Sequence, residues 1–162
     1  MQYTSVRPAD DIEETVNKYS DMIFRICLVI LKNSADAQDA VQETFIKYIQ
    51  KAPAFESEEH KKAWLIKVAT NKSRDMLRLR SRQIVSETQD LNLYIKNYES
   101  EPVIEILASL PEKFKTALML YYVEDYKVSE IAEIIGKSES VIKKRLQKGR
   151  KLFEEKYRKE FM

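Results

Sequence analysis

Apolar residues recur at three- and four-residue steps along most of the chain, the period of helices with one buried side. Ile12, Val16, Tyr19, Ile23, Ile26, Cys27 and Ile30 form the first such stripe, on a helix that starts at Pro8 with Asp10 and Asp11 and stops at Lys32-Asn33. Ser34 can cap the next helix, with Asp36 and Asp39 near its positive end. Its buried side is Ala37, Ala40, Val41, Phe45, Tyr48 and Ile49. Pro53 ends that run, so residues 52–56 form a loop. Ser57 then caps a long helix reaching about Arg82, with Leu65, Val68, Ala69, Met76 and Leu79 as its core stripe. No period persists from Gln83 to Glu101. Helical spacing returns at Val103–Ser109, then after Leu110-Pro111, with the proline at the first helical position and Phe114, Ala117, Leu118, Tyr121 and Tyr122 facing inward. Asp125-Tyr126 breaks this helix.

The final stretch has the spacing of a helix-turn-helix. Ser129 and Ser138 are placed to cap two helices, each followed by a glutamate, Glu130 and Glu139. Gly136 stands where the backbone must turn, Ala132 allows close approach and Ile142 closes the corner. The pattern predicts an all-α chain of two small helical domains, residues 8–82 and 103–160, joined by a flexible linker over 83–102.

Composition supports this and narrows the function. Only 2 glycines and 4 prolines in 162 residues suit a helical protein. The single cysteine excludes an internal disulfide, and Cys27 falls on an apolar stripe, where it packs. With 1 histidine no metal site is expected, and no cofactor. The absence of a signal-like N-terminus and of a membrane-length apolar run places the protein in the cytoplasm. Net charge is only +2, but it is segregated. Lys61, Lys62, Lys67, Lys72, Arg74, Arg78, Arg80 and Arg82 meet Asp75 alone, a second basic block runs from Lys137 to Lys159, and the connector between them is mostly acidic. Two basic patches suggest two contacts with one polyanion.

Three surfaces are candidates for function. On the second helix Asp39, Gln42, Glu43 and Ile46 share one side, which suits either a solvated face or a docking face for a basic partner helix. On the third, Trp64, Lys67, Asn71, Arg74, Asp75 and Arg78 share a face with the inventory for charge neutralisation, stacking and base-edge contact. Trp64 equally suits a core aromatic at the stripe's edge, whereas a mid-helix asparagine suggests a residue placed for its amide. The last helix carries Lys143, Lys144, Arg145, Lys148, Arg150 and Lys151, as a DNA-reading helix or as the solvated side of a helical hairpin. His60 stands alone and no Gly-rich phosphate loop occurs, so no catalytic residue and no enzymatic activity is expected.

These residues resemble one family in three places. Asp36-Ala37-Gln38-Asp39-Ala40-Val41-Gln42-Glu43-Thr44-Phe45 is similar to the polymerase-binding motif of bacterial sigma factors of the extracytoplasmic-function group. Trp64-Leu65-Ile66-Lys67-Val68-Ala69-Thr70-Asn71, continuing to Asp75 and Arg78, resembles the helix that melts and reads the −10 promoter element. Leu110-Pro111, Ser129-Glu130-Ile131-Ala132 and Ser138 to Arg150 resemble the domain that reads the −35 element. The resemblance spans about residues 12–82 and 103–155, in the family's order.

The resemblance implies a transcription initiation factor whose partners are core RNA polymerase, promoter DNA and an anti-sigma factor. Asp36, Asp39, Gln42, Glu43 and Ile46 would dock on the basic coiled coil of the β′ clamp. Trp64, Lys67, Asn71, Arg74 and Arg78 would face the −10 DNA, with the Phe55 loop capturing a flipped-out base. The acidic linker would run near the RNA path. Ser138, Ser140, Lys143, Lys144, Arg145 and Lys148 would meet the −35 major groove, with Arg150 and Lys151 on phosphates. The sequence departs from the family at Val141-Ile142-Lys143-Lys144-Arg145, where Thr-Val-Lys-Ser-Arg is usual, and in lacking glycine at Asp125-Tyr126. Promoter preference therefore does not transfer. An autonomous helix-turn-helix regulator with an N-terminal ligand or oligomerisation unit is the competing reading.

Overall fold

The computed structural model describes residues 7–80 and 102–162. The linker expected over 83–102, apart from Pro102 itself, lies outside the described residues. Those described residues form helices in two compact units. The first holds α1 (Ala9–Leu31), α2 (Ser34–Lys51) and α3 (Glu58–Arg80). The second holds α4 (Pro102–Ser109), α5 (Glu112–Leu118) with a π-helical turn at Met119–Val123, α6 (Val128–Ile135) and α7 (Glu139–Phe161).

In the first unit α1 packs directly along α3. Small side chains permit the approach: Ala69 and Ser73 of α3 are fully buried, and Ser73 neighbours Cys27 of α1. Burial pushes the Cys27 thiol up to about 12, so it is the inert core residue its position suggests. The core side of α3 is Leu65, Ile66, Ala69, Thr70 and Ser73. This corrects the expected stripe, because Leu79 is 64% exposed and Val68 and Met76 are half-buried. Two buried hydroxyl residues broke the apolar period and shifted its reading by one side chain. On α2 the same happens at Thr44, whose hydroxyl donates to the Ala40 carbonyl at 2.7 Å and so satisfies itself within the helix. Val41 and Ile49 are only half-buried.

Helix ends follow local chemistry. The Ser57 Oγ accepts from the His60 amide (3.1 Å) to start α3, and Ser138 Oγ accepts from the Val141 amide (3.2 Å) to start α7. α2 begins at Ser34 itself, so its capping position falls on buried Asn33. Ser129 is not a cap: α6 starts at Val128, Lys127 is extended, and Glu130 Oε1 accepts from the Lys127 amide at 2.9 Å. Pro111 precedes α5 in an extended conformation and occupies its capping position, not the first helical one.

The inward placement of Tyr121 and Tyr122 is also corrected, since Tyr122 is 54% exposed and Tyr121 is exposed too. The π-helical turn inserts one extra residue per turn, rotating Met119 and Leu120 into the core and both tyrosines out. Asp125 then takes a left-handed φ of 60°, supplying the turn for which glycine is usual. At the helix-turn-helix corner Gly136 has φ 79°, and the amides of Gly136 and Lys137 both donate to the Ala132 carbonyl (2.8 and 3.1 Å). Ala132 and Ile142 are buried as expected. A second glycine matters as much: a Cβ on Gly149 would lie 3.0 Å from Leu118 Cδ1, so Gly149 sets the closeness of α7 to α5.

Candidate functional site

Asp39, Gln42, Glu43 and Ile46 all lie exposed on α2, and Ile46 leaves 43% of its surface in solvent. Asp36, expected with them, is committed elsewhere: its Oδ2 lies 3.1 Å from Arg80 Nη1, which also donates to the Leu31 carbonyl (2.9 Å) at the end of α1. On α3 Lys67, Asn71 and Arg78 are exposed, while Trp64 and Arg74 are half-buried. The two sets meet. Between α2 and α3 runs an open groove of about 580 Å³ whose lining includes Glu43 and Ile46 on one wall and Trp64, Lys67 and Asn71 on the other. Lys47, Gln50, Lys51 and Lys72 line it too. Sequence reasoning counted Lys72 in a basic patch but not at the site, and passed over Lys47 and Lys51, whose charge was a usable signal, and Gln50, which is neutral.

The Phe55 loop closes one end of an aromatic cluster. The Phe55 ring lies parallel to Tyr48 (6.2 Å between centroids) and edge-on to Trp64 (5.7 Å) and His60 (5.2 Å). Trp64 thus has both roles open to it, part of this cluster and part of the groove wall.

Behind the cluster lies a polar chain. Lys61 Nζ donates to Thr15 Oγ1 (3.3 Å), Thr15 and Tyr48 share a hydrogen bond (3.2 Å), and Tyr48 Oη donates to Asp11 Oδ2 (2.7 Å). The Tyr48 hydroxyl, with Lys61 and Arg7, holds the Asp11 carboxyl below its ordinary range. Nearby, Tyr19 Oη donates to Glu58 Oε2 at 2.6 Å. Burial and that carboxylate push the Tyr19 phenol up to about 12. The same hydrogen bond, with one from Lys18, draws Glu58 down. Arg7, which no sequence pattern singled out, joins this chain to the loop. Its Nε donates to the Tyr48 carbonyl (3.2 Å), and its Nη2 to those of Ala52 (3.2 Å) and Pro53 (2.6 Å).

In the second unit the basic residues of α7 fall on its solvent side. Ser138, Ser140, Lys143, Lys144, Lys148, Arg150 and Lys151 are exposed, and Arg145 is half-buried. Two of them also touch the fold. Lys148 lies over the Phe114 ring at 5.7 Å, and Arg150 Nη1 donates to Tyr122 Oη at 3.1 Å. Lys115 and Lys156 serve structure instead, donating to the final carbonyls of α4 at Ala108 (3.1 Å) and Ser109 (3.4 Å). Among the described residues no helix is long and apolar enough to cross a membrane.

The arrangement is an exposed row of acid, amide and isoleucine side chains on α2, a groove of aromatic and basic residues beside it, and a basic helix-turn-helix in the second unit. Residues 15–83 match the model of sigma-70 region 2, and residues 100–153 that of sigma-70 region 4. The chain belongs to the RNA polymerase sigma factors, in the extracytoplasmic-function group, and is a transcription initiation factor. Among curated relatives, RNA polymerase sigma factor SigV of Bacillus subtilis is 29% identical over 141 residues, covering 85% of each chain. SigW, of the extracytoplasmic-function group in the same organism, is 26% identical over 160 residues, covering 87% of this chain and 86% of its own. Among solved structures, the fold is similar to RpoE of Bartonella quintana in complex with the anti-sigma factor NepR. That match has a TM-score of 0.71 and 20% identity, over 91% of this chain and 96% of that one. CnrH, in complex with the cytosolic domain of CnrY, gives 0.68 and 19%, over 91% and 87%.

Proposed function

We propose that residues 8–82 dock this protein on the polymerase β′ clamp and open the −10 element, while residues 103–160 read the −35 element. Asp39, Gln42, Glu43 and Ile46 are the docking row, and Asp36 supports it through Arg80. Lys67, Asn71, Arg74 and Arg78, with Trp64 and the Phe55 loop, take the −10 strand. Ser138, Ser140, Lys143, Lys144, Arg145 and Lys148 enter the −35 groove, and Arg150 and Lys151 hold phosphates. The observation carrying this reading is the α2–α3 groove, where Glu43 and Ile46 adjoin Trp64, Lys67 and Asn71. A protein bound along α2 would deliver melted DNA directly to α3.

The physical logic is a division of labour. Phosphate contacts supply affinity that falls with salt, and each good base contact contributes about 1–3 kcal/mol of discrimination. Tethering two modest DNA contacts to polymerase raises their effective concentration at a promoter. The protein therefore acts without catalysis of its own, in the cytoplasm, and discriminates promoters poorly when free. Regulation by an anti-sigma factor is part of the proposal, and the two solved relatives, RpoE with NepR and CnrH with CnrY, support it.

Run-off transcription with core polymerase on genomic fragments tests the reading. Promoter-specific transcripts are expected, and Glu43→Lys should abolish them together with core binding. No specific transcript, or a silent Glu43→Lys, would favour an autonomous regulator instead.

A further inference from the structure

From the contacts around Arg7 we infer that this residue is the positioning residue of the Phe55 loop, and so sets base preference at the −10 element without touching DNA. The inference rests on the proposed reading of that loop as a base-capturing one. α2 ends at Lys51, leaving its last carbonyls without intrahelical partners. Pro53 prevents continuation and brings no amide of its own. The loop thus has carbonyls in want of donors, and Arg7 answers them from 41 residues away in sequence. Nε bonds the Tyr48 carbonyl, and Nη2 bonds both Ala52 and Pro53. Nη1 lies 3.8 Å from Asp11 Oδ2, so all three guanidinium nitrogens are engaged within the protein. An arginine so occupied is unavailable to phosphate or base.

The same guanidinium lies 4.5 Å from the Tyr48 ring centroid and 5.3 Å from that of Phe55. It therefore fixes the loop backbone and the aromatic side chain together. The far end of the loop is fixed separately, where the Glu56 amide donates to His60 Nδ1 (3.2 Å) and Ser57 caps α3. Removing Arg7 frees the near end alone. A planar fork is needed, because a lysine ammonium is a point charge on a flexible stem and cannot bridge three carbonyls in fixed directions.

The test uses the full chain with core polymerase, on templates that differ only at the base the loop takes. Arg7→Ala and Arg7→Lys should each narrow the preference for the best base by about fivefold or more, the lower range of one base contact. The emission of Trp64, the single tryptophan, should shift in the free protein, since its ring packs on Phe55. A uniform loss of activity on every template would mean that Arg7 merely stabilises the domain, and would overturn the inference. So would an unchanged base preference in both Arg7 variants alongside a lost one in Phe55→Ala, which would leave the loop reading intact. If Phe55→Ala also keeps the preference, the loop reading falls and the inference with it. Should Arg7→Ala fail to fold, Arg7→Lys, which keeps charge and stem, decides.

Discussion

Arg80 at the end of α3 pairs with Asp36 at the start of α2, Nη1 to Oδ2, at 3.1 Å. Because the same nitrogen donates to the Leu31 carbonyl, one guanidinium ties the ends of all three helices of the first unit. Both partners are less than a third exposed, so solvent screens the pair only partly. Arg80→Ala should destabilise that unit by roughly 1–2 kcal/mol, above the range of exposed pairs because the carboxylate and carbonyl left behind are partly buried. Urea unfolding of the parent, each single variant and the double variant measures the coupling. Asp36→Asn should lower core-polymerase affinity far less than Glu43→Lys does.

Lys115 sets a pH dependence. Its burial in α5 lowers its pKa from 10.5 to about 7. Below that pH folded and unfolded chains both hold the proton, and the fold bears the full cost of a buried charge. Above it the folded chain releases the proton while the unfolded chain keeps it up to ~10.4, so stability rises with pH across that window. Lys115→Met removes this dependence along with the bond to Ala108, so the melting temperature of the parent should gain on that of the variant as pH rises from about 7 to ~10. Calorimetric melting of both proteins across that range checks it; a gap independent of pH would count against it.

The two glycines of the second unit should respond differently. Gly136→Ala meets no atom within 4 Å but must keep φ 79°, and should cost roughly 1–2 kcal/mol through backbone strain alone. At Gly149 the backbone is helical and alanine gains helix propensity, but its Cβ meets Leu118 at 3.0–3.1 Å and Phe114 at 3.4 Å. Gly149→Val, which adds bulk against those same atoms, should cost about 1–3 kcal/mol or more. Chemical unfolding resolves both.

Arg150 and Lys151 should contribute to affinity without contributing to specificity. Replacing either by glutamine should reduce the slope of log affinity against log salt by about 0.9, similarly for all −35 sequences. Lys144→Ser, at an exposed position where the family usually has serine, should instead shift which −35 sequence is used and leave stability unchanged. Transcription from a −35 library at several salt concentrations separates the two effects.

Helix existence, the Ser57 and Ser138 caps and the Gly136 turn were legible in the sequence, because each depends on neighbours within about one or two helical turns, whereas the three motifs were legible through their resemblance to a known family. The acid and amide row on α2 was legible as a row, yet residue spacing alone left its role open between solvation and docking. Other features depended on partners far along the chain. Thr44, Thr70 and Ser73 are polar residues in the core, and only packing between helices reveals that they belong there. Tyr121 and Tyr122 turned outward because a π-helical turn shifts phase, which a fixed period cannot anticipate. The α2–α3 groove, the Asp36–Arg80 pair and the hold of Arg7 on its loop join residues across the fold. The sequence by itself determined which elements form and which charges they carry. Tertiary structure decided which of those charges remain free to meet a partner, because a side chain's remaining hydrogen-bonding capacity depends on what the fold has already placed beside it.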